Sequence, residues 1–263
     1  MTAPNKHSLS HYSVLVTRPQ QQAEGLCQAI QALGGHAILF PVLEIKPTLS
    51  PEIVQQQLNN LSAFDIGIFI SANAVNYTFS YISSLPSSMK IAAIGKATAS
   101  TLNQHCSTAD ISLNSGLNSE ALLKMPLLND VAGKSIVIFR GESGREMLAD
   151  TLKARGADVT YIEVYRRELP VADVPTLLAD WDTHGIDAVV ITSLQSLINL
   201  QTLLGDQGRL YLQKTAMVVI SERLLEKTSD MGITKVVVAS EASDDAIVAA
   251  LIKLQHLYGK NNE

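Results

Sequence analysis

The chain has 263 residues, enough for two domains of ordinary size, and its 46% hydrophobic and 17% charged residues describe a packed core, which excludes a disordered or coiled-coil protein. A net charge of -5, with 20 scattered Lys and Arg, leaves no electrostatic footprint for nucleic acid or an anionic membrane. The polar start MTAPNKHSLSHY is unlike a signal peptide, and apolar runs such as 188–191 and 246–252 fall well short of the about 20 residues of a membrane span, so a cytoplasmic location is expected.

In chain order, a strand over Ser13 to Thr17 leads into a helix from about Pro19 to Leu33. Pro19 suits a first helical turn and Gly34-Gly35 a C-terminal stop. A short strand, His36 to Phe40, precedes the extended stretch 41–47, which ends in proline. Strands then follow at Phe64 to Ser71 and Lys90 to Ile94, each with a helix, before a short strand near Ile111 and a helix starting near Ser119. The pattern restarts at Ser135 to Phe139, with a helix from about Gly144 to Arg155 stopped by Gly156. There Ser143-Gly-Arg-Glu146 matches an S-x-x-E capping box. A short strand at Asp158 to Ile162, an extended stretch 163–170, strands at 186–193 and 216–220, a short strand near Val236 and a helix near Ser243 complete the chain.

This order repeats. Ser13-Val-Leu-Val-Thr-Arg18 aligns with Ser135-Ile-Val-Ile-Phe-Arg140 at an offset of 122 (135 − 13), and Phe64 to Ser71 aligns with Ile186 to Ser193 at the same offset (186 − 64). Ser115 to Leu122 matches Ser240 to Ile247 at 125 (240 − 115). Alternating strands and helices imply α/β architecture with parallel sheets covered on both faces. The two proline-terminated stretches occupy equivalent places and read as linkers, 41–47 and 163–170. Two crossings make the first domain discontinuous, 1–40 plus 171–263, with 48–162 as the second; a split near residue 130 follows the repeat units instead.

Ligands of open parallel sheets bind beyond the carboxyl ends of the strands, where helix N-termini present free N–H groups. Six small polar turns fall there: Thr17-Arg-Pro19, Ser71-Ala-Asn73, Gly95-Lys-Ala-Thr98, Arg140-Gly-Glu-Ser-Gly144, Thr192 to Ser196 and Ser221-Glu-Arg223. Together they suit a ligand with several carboxylates, held by backbone amides; singly, each Ser or Thr is equally an N-cap. Arg18 and Arg140 stand at matched strand ends, as anion forks or as structural ion pairs. Asp65 and Asp187 precede strands and are expected to satisfy turn amides. Tyr165 lies in the second linker where the repeat has Leu43, so duplication does not account for it; a phenol there can donate a proton or simply pack its ring.

No metal site is expected. Cys27 and Cys106 have neither metal nor redox spacing, and the H-x₃-H of His7 and His11 lies in the polar N-terminal stretch. No Ser-His-Asp set or carboxylate pair shows itself, so catalysis would rest on positioning and hydrogen bonding.

The motifs Val16-Thr-Arg-Pro19, Phe69 to Val75, Ala93 to Ala99, Phe139 to Glu146, Val164-Tyr-Arg-Arg167 and Ile191-Thr-Ser193, in this order and spacing, resemble the uroporphyrinogen-III synthase family over nearly the whole chain. The resemblance implies two flavodoxin-like domains joined by a two-stranded linker, with the site in the cleft between them. It also implies a hydro-lyase of haem and sirohaem biosynthesis that closes hydroxymethylbilane, a linear tetrapyrrole, to uroporphyrinogen III while inverting ring D. No cofactor or metal is implied; a monomer is expected, and the enzyme that makes hydroxymethylbilane is a candidate partner. By position, Tyr165 matches the tyrosine that assists departure of the hydroxyl group. Arg18, Ser71, Ala72, Asn73, Thr98, Arg140, Gly141, Ser193 and Ser221 are the expected substrate contacts. Where many members carry I-G-P-T-T-A, this chain has Ile220-Ser-Glu-Arg-Leu-Leu225, which puts leucine at position 224 in place of a threonine. A non-catalytic binder of a small anion, and more remotely a flavin carrier, are the competing readings.

Overall fold

The computed structural model describes residues 8–105, 111–112, 119–144 and 146–259. The elements begin with β1 (Ser13–Val16), α1 (Gln20–Ala32), β2 (His36–Leu39), β3 (Glu44–Pro47) and α2 (Pro51–Asn59). Next come β4 (Ile66–Phe69), α3 (Ala72–Phe79), β5 (Lys90–Ala93), α4 (Lys96–His105), β6 (Ile111–Ser112) and α5 (Ser119–Leu122). Then follow β7 (Ser135–Gly141), α6 (Met147–Ala154), β8 (Asp158–Glu168), α7 (Val174–His184) and β9 (Ala188–Ile191). The chain closes with α8 (Leu194–Lys214), β10 (Ala216–Val219), α9 (Glu222–Asp230), β11 (Val236–Val238) and α10 (Asp244–Tyr258); the helical backbone of α8 breaks at Gly205. The chain divides into two compact units, Met1–Glu44 with Glu168–Glu263 (unit 1) and Ile45–Arg167 (unit 2).

Unit 1 has a five-stranded sheet in the order β11-β10-β9-β1-β2, every neighbouring pair parallel. Its strands are short runs of aliphatic residues because both faces are covered. Alternate side chains divide between the faces, as a period of two requires. Val14, Val16, Val190 and Val218 pack against Leu26 and Ile30 of α1 and Leu251 and Leu254 of α10. Leu15, Val189, Ile191 and Met217 meet Leu177 and Trp181 of α7 and Leu197 and Leu200 of α8. Full burial of each such side chain contributes about 1.5–3 kcal/mol, so Leu26→Ala would cost about 3 kcal/mol.

The sheet of unit 2 runs β3-β8-β7-β4-β5-β6. Ile66, Ile68, Ile136 and Ile138 line one face with Leu148 and Leu152 of α6. Phe69 and Phe139, adjacent in register, stack at 4.2 Å between ring centroids. The registers of the two sheets are related by the sequence repeat. Ser13 pairs with His36 and Ser135 with Asp158, while Val14 pairs with Ala188 and Ile136 with Ile66, every member displaced by 122 (135 − 13, 158 − 36, 136 − 14, 188 − 66). Asp65 and Asp187 occupy matching places too, accepting from the backbone N–H of Ser135 at 2.9 Å and of Ser13 at 2.8 Å, as the sequence suggests.

Three local expectations change. Pro19 is the residue before α1, with φ −49° and ψ 139°, not a member of its first turn. Residues 158–162 are not a short strand followed by a separate stretch: β8 runs unbroken for 11 residues to Glu168, paired with β7 as far as Tyr165. The capping box at Ser143 to Glu146 does not form, and α6 starts only at Met147. The carboxylate of Glu146 is held elsewhere, by Arg140 Nη1 at 3.0 Å and the Tyr161 hydroxyl at 2.6 Å, so it cannot turn back to a capping amide. Residue 145, within that box, lies outside the described residues, as do His7 and Cys106. Among the described residues no helix is long and apolar enough to cross a membrane, and no group of three or more His, Cys, Asp or Glu is placed to hold a metal ion.

Candidate functional site

Three strands, β4, β9 and β10, end alike. The serine at each junction, Ser71, Ser193 or Ser221, has extended backbone angles and caps the following helix, accepting from the N–H three residues on. A serine caps well here because its oxygen replaces a hydrogen bond that the first helical turn lacks. Capping uses only a lone pair of the oxygen, so each O–H hydrogen stays available. The hydroxyls differ in what lies beside them. Ser193 Oγ is 2.7 Å from Ser196 Oγ, Ser221 Oγ accepts from its helix amide at 3.3 Å, and Ser71 Oγ is 3.2 Å from the hydroxyl of Tyr165.

Tyr165 is reached from β8. Its side chain is fully buried, 0% exposed, with Tyr77 stacked 5.7 Å away between centroids. A bulge in the β7–β8 pairing sets Gly141 opposite Tyr165, and the ring lies flat on that residue: a Cβ added to Gly141 would come 2.5 Å from Tyr165 Cε2. Glycine at 141 is thus a requirement of close approach. Nη2 of Arg167 donates to the Tyr165 hydroxyl at 2.8 Å, and its guanidinium lies 5.3 Å from the ring centroid.

The direction of these hydrogen bonds follows from what each group can do. Arginine and a backbone amide only donate. Tyr165 Oη therefore accepts from Arg167, and Ser71 Oγ accepts from Ala74 N at 3.1 Å. If Ser71 donated to Tyr165, the phenolic hydrogen would be stranded in a fully buried place, at a cost of about 1–3 kcal/mol. With Tyr165 donating to Ser71, the hydrogen left over is that of Ser71, on a half-buried residue. The second arrangement wins.

The arginines at matched strand ends are both nearly buried and both engaged. Arg18, 9% exposed, pairs with Asp244 and donates to the Ala242 carbonyl at 2.7 Å. Arg140, 2% exposed, pairs with Glu146, lies 3.7 Å from Glu163 and stacks over Tyr161 at 4.4 Å. The Tyr161 hydroxyl, then Arg140, hold the Glu146 carboxyl below the usual range; burial and Glu146 in turn push the Tyr161 phenol up to about 12. Both arginines sit at strand ends as expected, each paired with a carboxylate of its own unit.

Ala72 and Asn73 open α3 and are half-buried, while Thr98 is buried in the first turns of α4. Leu224, where the resemblance leads us to expect a threonine, is 3% exposed within the core of unit 1; its backbone N–H, not its side chain, meets Ser221. The structure thus gathers Ser71, Tyr165 and Gly141 into one cluster and leaves Arg18, Ser193 and Ser221 at their own junctions in unit 1. Two members of the cluster escaped sequence reasoning, Tyr77 and Arg167. The signal for Arg167 was there: two residues from Tyr165 on a strand, it shares a face with it. A cavity of about 620 Å³ lined by Tyr12, Trp181, Tyr211 and Lys235 opens at the amino ends of the unit 1 strands and takes in none of these residues.

Comparison with known proteins bears on what this cluster serves. The family model described as "Uroporphyrinogen-III synthase HemD" matches residues 24–249. The uroporphyrinogen-III synthase of Escherichia coli is 33% identical over 244 residues, covering 91% of this chain and 99% of that protein. The Salmonella typhimurium protein of the same name is 32% identical over 247 residues, with coverage of 91% and 99%. A crystal structure of mutant uroporphyrinogen III synthase from Thermus thermophilus superposes with a TM-score of 0.65 at 16% identity, covering 94% of this chain and 99% of that one, a likeness of fold. The family match across most of the chain and two relatives above 30% identity agree: the chain belongs to the uroporphyrinogen-III synthase family.

Proposed function

We propose that this protein is a hydro-lyase that converts hydroxymethylbilane to uroporphyrinogen III, closing the macrocycle with inversion of ring D and loss of water, without a cofactor. The observation that carries the reading is the pair of hydroxyls of Ser71 and Tyr165, 3.2 Å apart at the carboxyl end of β4 and beside the N-terminus of α3. Departure of a hydroxyl group needs a proton donor, and a phenol supported by an adjacent hydroxyl supplies one. Once that group has left, the bilane is a reactive azafulvene, and the enzyme's task is to favour one ring closure over an easier one. The substrate's eight carboxylates call for donors at helix N-termini, which the Ser71, Ser193 and Ser221 junctions offer.

The same reading takes each unit as one flavodoxin-like domain and the two as copies of a single ancestor. The strand order β2-β1-β9-β10-β11 is that of a flavodoxin-like sheet, and β8-β7-β4-β5-β6 reproduces it with β3 added at the edge. Unit 1 is then the discontinuous domain, with the chain crossing between the domains inside 41–47 and, at the end of β8, inside 163–170.

Incubation of purified protein with hydroxymethylbilane should yield the type III isomer. Chromatography showing only the type I isomer, which forms without an enzyme, would overturn the assignment.

A further inference from the structure

The fully buried Tyr165 has one hydrogen to give, and Ser71 Oγ, 3.2 Å away, is the acceptor set beside it among the described residues. From this geometry we infer that Ser71, not Tyr165, hands the proton to the departing hydroxyl, with Tyr165 behind it as proton source and Arg167 as the residue that fixes the direction of transfer. The inference rests on the proposed reaction and adds the order in which the residues act.

Three features carry it. Tyr165 is enclosed by Gly141 against its ring, Tyr77 stacked beside it and Arg167 at its hydroxyl, so its oxygen has no open approach of its own. Ser71 already accepts from Ala74 N and from Tyr165, which leaves its own hydrogen as the free end of the chain. Arg167 is an exposed residue on β8 whose guanidinium donates to Tyr165 Oη, turning the phenolic hydrogen away from itself and toward Ser71.

The transfer balances. As the C–O bond of the hydroxymethyl group breaks, its electron pair leaves with oxygen, which takes the Ser71 hydrogen and departs as water. Ser71 recovers a hydrogen from Tyr165, and the phenolate formed is stabilised by the Arg167 guanidinium, a charge-assisted contact stronger than a neutral one. Ring closure later releases one proton from the pyrrole as it becomes aromatic again, and this restores Tyr165 through Ser71.

A double-mutant cycle with full steady-state kinetics of type III formation tests the scheme. Arg167→Met should lower kcat by about tenfold, at the low end for a misdirected proton donor, with KM unchanged, since an exposed side chain contributes little to folding. In a Tyr165→Phe background the same change should have no further effect. Ser71→Gly keeps a tolerable N-cap but should lose about a hundredfold in kcat, as expected for a missing donor, and Ser71→Thr should restore most of it. A KM rise at constant kcat for Arg167→Met would make it a direct substrate contact and overturn the scheme, as would additive effects in the cycle or full kcat in Ser71→Gly. Wild-type protein giving only the type I isomer would remove the function reading and the relay together. Wild-type type III activity with an additive cycle would remove the relay alone.

Discussion

The ends of β4 and β9 begin from the same plan and diverge in what surrounds it. Ser71 and Ser193 have nearly the same backbone angles (−162°, 157° and −157°, 156°) and cap α3 and α8 in the same way. Beside Ser193 stands another serine of its own helix; beside Ser71 stands a phenol brought from β8, itself tied to an arginine. The matched arginines diverge likewise. Arg18 is drawn to Asp244 at the start of α10, while Arg140 is drawn to Glu146 and the ring of Tyr161. The matched registers therefore set the places, and differences such as tyrosine at 165 against leucine at 43 decide what stands beside each serine.

Four measurements break or sharpen that contrast. The largest effect is expected from Tyr165→Phe, which should lower kcat roughly a hundredfold, as loss of a positioned proton donor does; full turnover would return the two strand ends to equivalence. Gly141→Ala should destabilise unit 2 by about 2 kcal/mol, because its Cβ meets the Tyr165 ring at 2.5 Å; urea unfolding would show it, and a wild-type midpoint would mean that the ring is free to move.

Ser71→Ala and Ser193→Ala should each cost about 1 kcal/mol through loss of the cap, yet only the first should markedly reduce turnover. Equal losses of activity would refute the asymmetry. The smallest effect concerns Asp65, whose carboxyl is held below its ordinary 3.8 by the Ser135 amide and Lys134. A depressed carboxylate stabilises the fold above its unfolded pKa, and that contribution fades as pH falls through the folded value. The melting-temperature gap between wild type and Asp65→Asn should then be constant at neutral pH and narrow below about 3.8; a gap that widens in acid contradicts the assignment.

The scaffold was legible in the sequence because its strands are covered on both faces. Val14-Leu-Val16 and 188–191 read as unbroken apolar runs, and the offset of 122 in the repeat recurs in the pairing of Val14 with Ala188 and of Ile136 with Ile66. The site was legible only in its parts. Arg18 finds its partner 226 residues away, and Tyr165 and Ser71 are 94 residues apart, distances over which local pattern carries no information. The capping box misled for a related reason. Ser143 and Glu146 satisfy a local rule, but Arg140 and Tyr161 compete for the same carboxylate, and the two contacts with it outweigh one cap.

The place of β1 between β2 and β9 also governs the order in which this protein can assemble. Thr17, just past β1, hydrogen-bonds to Val190, 173 residues further along, so β1, α1 and β2 cannot complete their sheet until all of unit 2 has been synthesised. At a translation rate of about 10 residues per second, that is a wait of roughly 15–20 seconds with Val14, Leu15 and Val16 unpaired on one side. Unit 2 has no such delay. Its first and last strands, β3 and β8, are neighbours in its own sheet, so it can close while the ribosome is still making β9. The nascent chain is thus most exposed to misassembly at its first strand, until β9 arrives to cover its open edge.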